Sequence, residues 1–413
     1  MKLKGAEVLI ECLREQGVDT IFGYPGGAVL PIYDVLYDTK DITHILTAHE
    51  QGATHAADGY ARATGKVGVV IVTSGPGATN TVTGIATAYM DSVPLVVFTG
   101  QVASSLIGRD SFQEVDITGI TTPITKHNYI VKDAEELPSI VRQAFTIARS
   151  GRPGPVVVDI PKDIQTSLID YQPASNGELS VAARSGKTYT EELEDSIQEA
   201  IEAIGQCQRP VIYAGGGVNI SGANEELLRF AEKIKAPVSC SLMGMGAFPG
   251  THPYYMGMVG MHGTRCSNYA FSKCDLLIAV GARFSDRVIS NVKRFAPYAK
   301  IVHIDIDPAE LGKNVETHIG ICGDVKDILR LLNEKVEERK ENGWNEQIRQ
   351  WQKEYPLKYT DNGKVNPQHV IETLYKLTKG DAIITTEVGQ NQMWAAQFYK
   401  FTRPRTFISS GDR

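Results

Sequence analysis

No stretch of this sequence is apolar for long enough to cross a bilayer, which takes ~20 consecutive apolar residues. The longest strongly apolar runs, Val67 to Val72 and Leu276 to Val280, stop far short of that. The opening MKLKGAEVLIECLREQG mixes charged and apolar residues at helical spacing, so neither a signal peptide nor a membrane anchor is expected there, and a cytoplasmic address follows. Lys and Arg nowhere gather into a basic stripe. With 42 Lys+Arg against 48 Asp+Glu the net charge is −6, which excludes the phosphate-neutralising surface of a nucleic-acid binder. Cysteine is scarce: Cys12, Cys207, Cys240, Cys266, Cys274 and Cys322 are the six, with no CxxC pair and no His spacing to close a zinc site. All six are expected to be small buried apolar residues of a reduced protein.

Glycine, by contrast, is plentiful. There are 39, gathered in GYPGG, TSGPG, AGGG, MGMG and HGT, loops in which a backbone can come close to a ligand. Between them short apolar runs alternate with amphipathic stretches, the pattern of parallel strands joined by crossover helices. Strands are expected at Val67 to Thr73, Leu95 to Thr99, Val156 to Ile160, Val211 to Ala214, Leu276 to Val280, Ile301 to Ile306 and Ala382 to Thr385. Helices are expected at Ala6 to Gln16, Gly52 to Ala63 and Glu136 to Ala148. A turn-rich stretch from about Asp170 to Thr188 and a charged one from Lys335 to Lys364 look like connections. They divide the α/β chain into residues 1–169, 189–334 and 365–413, the last too short to close a core of its own.

Four segments carry candidate chemistry. In TAHEQGATHAADGYARATG, Glu50 follows a short strand, Thr43 to Thr47, and opens a helix whose Ala53, Ala56, Ala57 and Ala61 permit close packing. Read alone, it is equally an ordinary first-turn glutamate. TSGPGATN runs from a strand into a helix, and the amides of Gly77, Ala78 and Thr79 are suited to an anion or a ring edge, although a plain tight turn would look the same. IYAGGGVNISG resembles half of a nucleotide-binding fold without its GxGxxG spacing, and Asp305 and Asp307 sit at a strand end suited to ribose hydroxyls. RFSDR places Arg283 and Arg287 at a carboxyl edge, for a carboxylate or phosphate, or simply for a salt bridge with Asp286.

Taken together, GYPGGAVLPIYD, AHEQGATHAADGYARATGKVGVV, TSGPGATN, DSFQE, SGRPGPVVVDIPKD, GMVGMHGT, RFSDR, VHIDIDPAE and EVGQNQMWAAQFY resemble the catalytic subunit of the acetohydroxyacid (acetolactate) synthase family of thiamine-diphosphate enzymes, over nearly the whole chain. The resemblance implies three doubly wound parallel-sheet domains: one for the cofactor's pyrimidine (1–169), one for FAD (189–334), and the start of a diphosphate domain (365–413). It implies that Glu50 is the catalytic glutamate beside the pyrimidine ring, flanked by Pro76 and Asn80. Gly27 and Gln113 would lie near the reacting carbons, Arg287 would bind the ketoacid carboxylate, and Lys162 would face the substrate channel. Arg152, Gly217, His262, Gly263, Thr264, Arg265, Gly281, Arg283, Asp305 and Asp324 would contact the flavin, and Val388, Gly389, Gln390 and Asn391 would begin the diphosphate clamp.

The activity so implied is decarboxylation of pyruvate and carboligation to a second 2-ketoacid, giving 2-acetolactate or 2-aceto-2-hydroxybutyrate, the first common step towards valine, leucine and isoleucine. Thiamine diphosphate, FAD and Mg2+ are the implied cofactors, and a second or fourth copy of the chain and a small regulatory subunit the implied partners. There are departures. Asn391 stands where many relatives carry His, Ala103 where plant members carry proline, and no Gly-Asp-Gly magnesium motif is present, so metal ligands are expected to be missing and the chain inactive alone. A thiamine-dependent pyruvate oxidase or decarboxylase, and a non-catalytic flavin-binding fragment, are the alternative readings.

Overall fold

The computed structural model describes residues 1–174, 191–360 and 363–411. Most of the connection expected over Asp170 to Thr188 lies outside them, as does the final Asp412–Arg413. The described chain forms two compact units, residues 1–174 and residues 191–411.

The first unit is built on a parallel six-stranded sheet. Its strands are β2 (Thr20–Tyr24), β3 (Thr43–Leu46), β4 (Gly68–Val72), β5 (Leu95–Gln101), β6 (His127–Ile130) and β7 (Pro155–Pro161), in the order β3-β2-β4-β5-β7-β6. A short antiparallel ribbon of β1 (Lys2–Lys4) and β8 (Leu168–Asp170) ties the first residues to the last strand of the unit. Because successive side chains of a strand point to opposite faces, the unbroken run Gly68–Val72 must be covered on both. Val69 and Ile71 enter one apolar cluster with Val96, Phe98, Val156 and Val158. Val70 and Val72 enter the other with Val97, Val157, Ala53, Ala57 and Ala61. Helices Gly5–Glu15 and Leu137–Arg149 close the first face, and Glu50–Thr64 closes the second.

The second unit repeats the plan. Strands β9 (Pro210–Ala214), β10 (Val238–Cys240), β11 (Tyr255–Met258), β12 (Leu276–Val280), β13 (Lys300–Asp305) and β14 (Ile319–Cys322) form a parallel sheet in the order β11-β10-β9-β12-β13-β14. Ile212, Ile278 and Val302 face one core, and Val211, Tyr213, Leu277 and Ile301 the other. The expected doubly wound α/β architecture is therefore present in both units.

The stretch expected to be a plain connection, Lys335 to Lys364, instead contains a helix, Gly343–Glu354. Trp344, Ile348 and Trp351, at i, i+4 and i+7, are buried in the second core, the two indoles edge to face at 5.7 Å. The Trp344 indole N–H donates to the Pro210 carbonyl at 3.1 Å. High charge on the outer face masks that stripe in the sequence. The strand expected at Ala382 to Thr385 shortens to β15 (Ile384–Thr385), which pairs in parallel with β16 (Phe407–Ile408), while Ala396, Tyr399 and Phe401 pack into the second unit's core. Five cysteines are buried as expected; Cys322 is exposed.

Ile278→Ala, at a fully buried strand position, is expected to cost about 2–5 kcal/mol, read as a lowered urea midpoint.

Candidate functional site

In an open parallel sheet, neighbouring strands whose connections run in opposite directions leave a crevice at their carboxyl ends, where ligands bind. In the first unit that place lies between β2, whose chain turns away to β3, and β4, whose chain runs on to β5. The loop after β2 is Pro25-Gly26-Gly27; the loop after β4 is Thr73-Ser74-Gly75, which leads into the short helix Pro76–Thr79. They touch: a Cβ on Gly26 would lie 2.5 Å from Thr73 Cβ, and the Ala28 amide donates to Thr73 Oγ1 at 3.3 Å. Only glycine permits that approach.

Glu50 arrives from the adjacent strand. It is the first residue of the helix Glu50–Thr64, capped by His49, whose Nδ1 accepts the Gln51 amide at 3.1 Å. Its side chain is only 9% exposed. Asn80 Nδ2 donates to Glu50 Oε2 at 2.9 Å, and Gly77 leaves so little room that a Cβ there would stand 3.3 Å from Oε1. Burial, reinforced by the nearby Glu50 charge, pushes the Tyr33 phenol above its ordinary range, so Tyr33 remains a donor to the Ile71 carbonyl at 2.9 Å. On the far wall Gln113 adopts φ +59°, and a Cβ on Gly75 would lie 2.7 Å from the Gln113 carbonyl oxygen. Glu50, Pro76, Asn80, Gln113 and the Gly26–Gly27 turn are thus gathered at one crevice.

One expectation is corrected here. The amides of Gly77 and Thr79 are not open to a ligand: Gly77 donates to the Ser74 carbonyl at 3.2 Å and Thr79 to that of Gly75 at 3.0 Å. The turn needs these bonds for itself, because a buried loop must satisfy its own backbone. Lys162 is exposed at the start of the short helix Lys162–Thr166 that follows β7. Arg152, half-buried, donates from Nε to Ser92 Oγ at 2.8 Å.

The carboxyl edge also holds an acid that sequence reasoning missed. Asp159, in β7, accepts from Thr99 Oγ1 at 2.6 Å and from Gln101 Nε2 at 2.9 Å. Burial pushes its pKa up to about 7, the Asp116 charge adds to this, and the two hydrogen bonds offset part of it.

The second unit has its own crevice, between β9 and β12. Gly217 donates to the Gly281 carbonyl at 3.0 Å, Gly281 has φ +56°, and a Cβ on Gly217 would sit 2.7 Å from Gly281 Cα. Asp305 ends β13 and Asp324 lies two residues beyond β14, capping the helix Val325–Lys335 through the Lys326 amide at 2.9 Å. Thr264 caps the helix Arg265–Lys273, so His262, Gly263, Thr264 and Arg265 form its entry. In RFSDR, Arg283 follows Gly281 while Arg287 points into solvent, its Nε 3.8 Å from Asp286, a pair too exposed to weigh much. His303 and Asn314, which no motif singled out, brace this loop. Since a carbonyl only accepts, His303 Nε2 carries the proton it donates to Ala282 O at 2.8 Å. Asn314 Nδ2 donates to the Arg283 and Phe284 carbonyls at 3.0 and 3.2 Å.

Further along, Val388, Gly389, Gln390 and Asn391 are exposed at the start of the helix Gln390–Phe398. Gln392 anchors that start, donating to Ser409 Oγ at 2.6 Å and to the Ser410 carbonyl at 2.8 Å. Among the described residues no three His, Cys, Asp or Glu side chains converge as a metal site.

Comparison with known proteins decides the family. Residues 3–120 match the thiamine pyrophosphate enzyme N-terminal TPP binding domain, and residues 197–332 the thiamine pyrophosphate enzyme central domain. The chain is 52% identical to a probable acetolactate synthase large subunit of Methanocaldococcus jannaschii, over 99% of its own length and 71% of that protein's. It is 49% identical to the acetolactate synthase isozyme 3 large subunit of Escherichia coli, over 99% and 72% of the two chains. It is 48% identical to the chloroplastic acetolactate synthase 1 of Zea mays, over 98% and 64%.

The chain belongs to the acetolactate synthase large-subunit family. In that family's terms the first crevice lies in the TPP-binding domain and the second in the central domain. The membership makes the chain a thiamine-diphosphate-dependent enzyme, and Glu50 with its glycine-lined crevice stands inside the region that carries the name.

Asp159 yields a pH test. An unfolded aspartate titrates near about 3.9, whereas the folded one does so at about 7. Between the two the native state holds a proton that the unfolded chain has released, so Asp159 makes stability fall as pH rises through that window. Denaturant midpoints at pH 5 and pH 7.5 are expected to show a smaller fall in D159N than in the wild type.

Proposed function

We propose that this chain is the catalytic subunit of an acetolactate synthase, decarboxylating pyruvate and joining the two-carbon unit to a second 2-ketoacid. One observation carries the reading: a buried carboxylate, Glu50, held by Asn80 at 2.9 Å at the mouth of a crevice made narrow by glycine, in a chain about half identical to acetolactate synthase large subunits. Those relatives also disfavour the pyruvate oxidase, decarboxylase and non-catalytic readings.

When bound, thiamine diphosphate supplies the nucleophilic carbon and the electron sink on which 2-ketoacid decarboxylation depends. Glu50 is the group that hydrogen-bonds a pyrimidine ring nitrogen and holds a proton there. Asn80 takes one of its lone pairs and so fixes the direction of the other oxygen. Gly26, Gly75 and Gly77 keep the crevice walls at backbone distance, Gly27 leaves open space beside them, and Pro76 lends a rigid apolar surface for a flat ring. Gln113 offers an amide to the reacting carbons. Lys162 and Arg287 supply positive charge for ketoacid carboxylates, Arg287 through the planar guanidinium that matches a carboxylate edge to edge. Val388, Gly389, Gln390 and Asn391 open the diphosphate clamp.

FAD is the ligand proposed for the second unit's crevice, with the close glycine backbones there as support. The backbones of Gly217 and Gly281 meet where any side chain would fill the space, and His262, Gly263, Thr264, Arg265, Arg283, Asp305 and Asp324 are its remaining candidate contacts. The FAD has no redox work in a reaction whose net change moves no electrons. Three domains (1–169, 189–334 and 365–413), assembly into a dimer or tetramer, a small regulatory subunit and a cytoplasmic address complete the proposal. No helix among the described residues is long and apolar enough to cross a membrane.

The test is acetolactate formed from pyruvate with thiamine diphosphate, Mg2+ and FAD supplied. Glu50→Gln keeps an acceptor for Asn80 but loses the carboxyl proton, so the rate is expected to fall by roughly 10²–10⁴ with the melting temperature unchanged; undiminished carboligation would refute the role of Glu50. Acetaldehyde or acetyl phosphate as the main product would refute the reaction.

A further inference from the structure

The loop that carries Gln113 is held to the sheet by very little apolar contact. Leaving β5 at Gln101 and returning at Val115, it turns Leu106, Ile107 and Phe112 to solvent, Phe112 at 88% exposure. Its interior is polar: the Glu114 carboxylate accepts the Gly108 amide and, at 2.9 Å, the Ser111 amide, and Ser111 Oγ donates to the Leu106 carbonyl at 3.0 Å. These bonds shape the loop without fastening it to anything else.

Asp163 Oδ1 tethers its outgoing limb, accepting the Ser104 amide at 2.9 Å and the Ser104 hydroxyl at 3.1 Å; the fastening that joins the loop's two ends is at its base, and it is one side chain. Gln101, 3% exposed, accepts the Val102 amide on Oε1 at 2.9 Å, where the loop departs. Its Nε2 donates one hydrogen to the Val115 carbonyl at 3.0 Å, where the loop returns, and the other to Asp159 Oδ2 at 2.9 Å. An amide set this way has a single workable orientation, because the reverse one would aim its oxygen at two acceptors and its NH2 at a donor. Asp159, itself 1% exposed and held by Thr99, is the acceptor that adds a second vote for that orientation. Two residues beyond Val115 towards the loop tip stands Gln113, pressed against Gly75 of the crevice.

We propose that Asp159 is a positioning residue for Gln113, acting through the amide of Gln101 to clamp residues 102–115 against the crevice. This rests on the reading of Gln113 as a group beside the reacting carbons. Asp159, with 1% of its surface exposed, offers no face to a ligand in the crevice. The bonds it controls lie at the two ends of one excursion, so its removal should loosen that excursion before it loosens the sheet.

Asp159→Asn separates the two roles, since its oxygen still accepts from Gln101 while its NH2 donates to Thr99 Oγ1. Asp159→Ala removes the acceptor, and Gln101→Met removes the bridge while keeping the apolar volume, which preserves the test should D159A fail to fold. Hydrogen exchange by mass spectrometry on the holoenzyme is expected to rise at least tenfold over residues 102–115 in D159A and Q101M, with the β5 amides of Val96 to Phe98 unchanged and D159N within threefold of wild type. In the same variants kcat for acetolactate should fall at least tenfold while thiamine diphosphate affinity stays within twofold. Unchanged loop exchange in both D159A and Q101M overturns the clamp, and exchange rising equally in β5 reduces Asp159 to a structural acid. Gln113→Ala with undiminished kcat overturns instead the reading of Gln113 on which the proposal rests.

Discussion

A carboxyl group taken out of water must find a hydrogen-bond partner, and the first unit is organised around one that does. Glu50 is 9% exposed, and its side-chain donor among the described residues is Asn80. For the two to meet, the Glu50 helix must start at the sheet's carboxyl edge and the turn after β4 must fold tightly enough to bring Asn80 back. Gly75 and Gly77 permit the turn, Thr73 fills the room Gly26 leaves, and Ala53, Ala57 and Ala61 let the helix lie flat on Val70 and Val72. Each is a small residue in a place where a larger one would move the acid.

Much of this was legible in the sequence, for a physical reason. Buried parallel strands read as short unbroken apolar runs, and Val67–Thr73, Val156–Ile160 and Leu276–Val280 appear within two residues of their predicted bounds. Glycine-rich strand ends mark the crevices as clearly. Among the strands that escaped notice, Thr20–Tyr24 mixes in polar residues, and His127–Ile130, at the sheet's edge, is covered on fewer sides. The helix Gly343–Glu354 was hidden for the opposite reason, its three large apolar residues outnumbered by polar ones on the face that meets water.

The turn after β4 shows what spacing alone cannot reveal. A Gly-Pro-Gly sequence announces exposed amides, yet two of the three donors considered close the turn internally. A motif states which conformations are possible; only the register of the folded backbone shows which donors remain. Gln101, Asn314 and His303 belong to the same category. None sits in a glycine-rich motif, and each becomes significant through a carbonyl distant in sequence.

His303 carries that point furthest. It is fully buried in β13, and burial lowers its pKa, so it is neutral, whereas burial raises the pKa of Asp159. A neutral imidazole has one N–H, and here it is spent on the Ala282 carbonyl, while the ring stands edge to face with Phe284 at 5.0 Å. Phe284 itself lies at φ +49°, a conformation that costs an aromatic residue of order 1–3 kcal/mol. The strain is tolerable because the carbonyls of residues 282, 283 and 284 are all held, one by His303 and two by Asn314. Arg283 therefore leaves a backbone fixed on both sides of it. The second crevice obtains from neutral side chains and carbonyls the rigidity that the first obtains from a carboxylate and an amide.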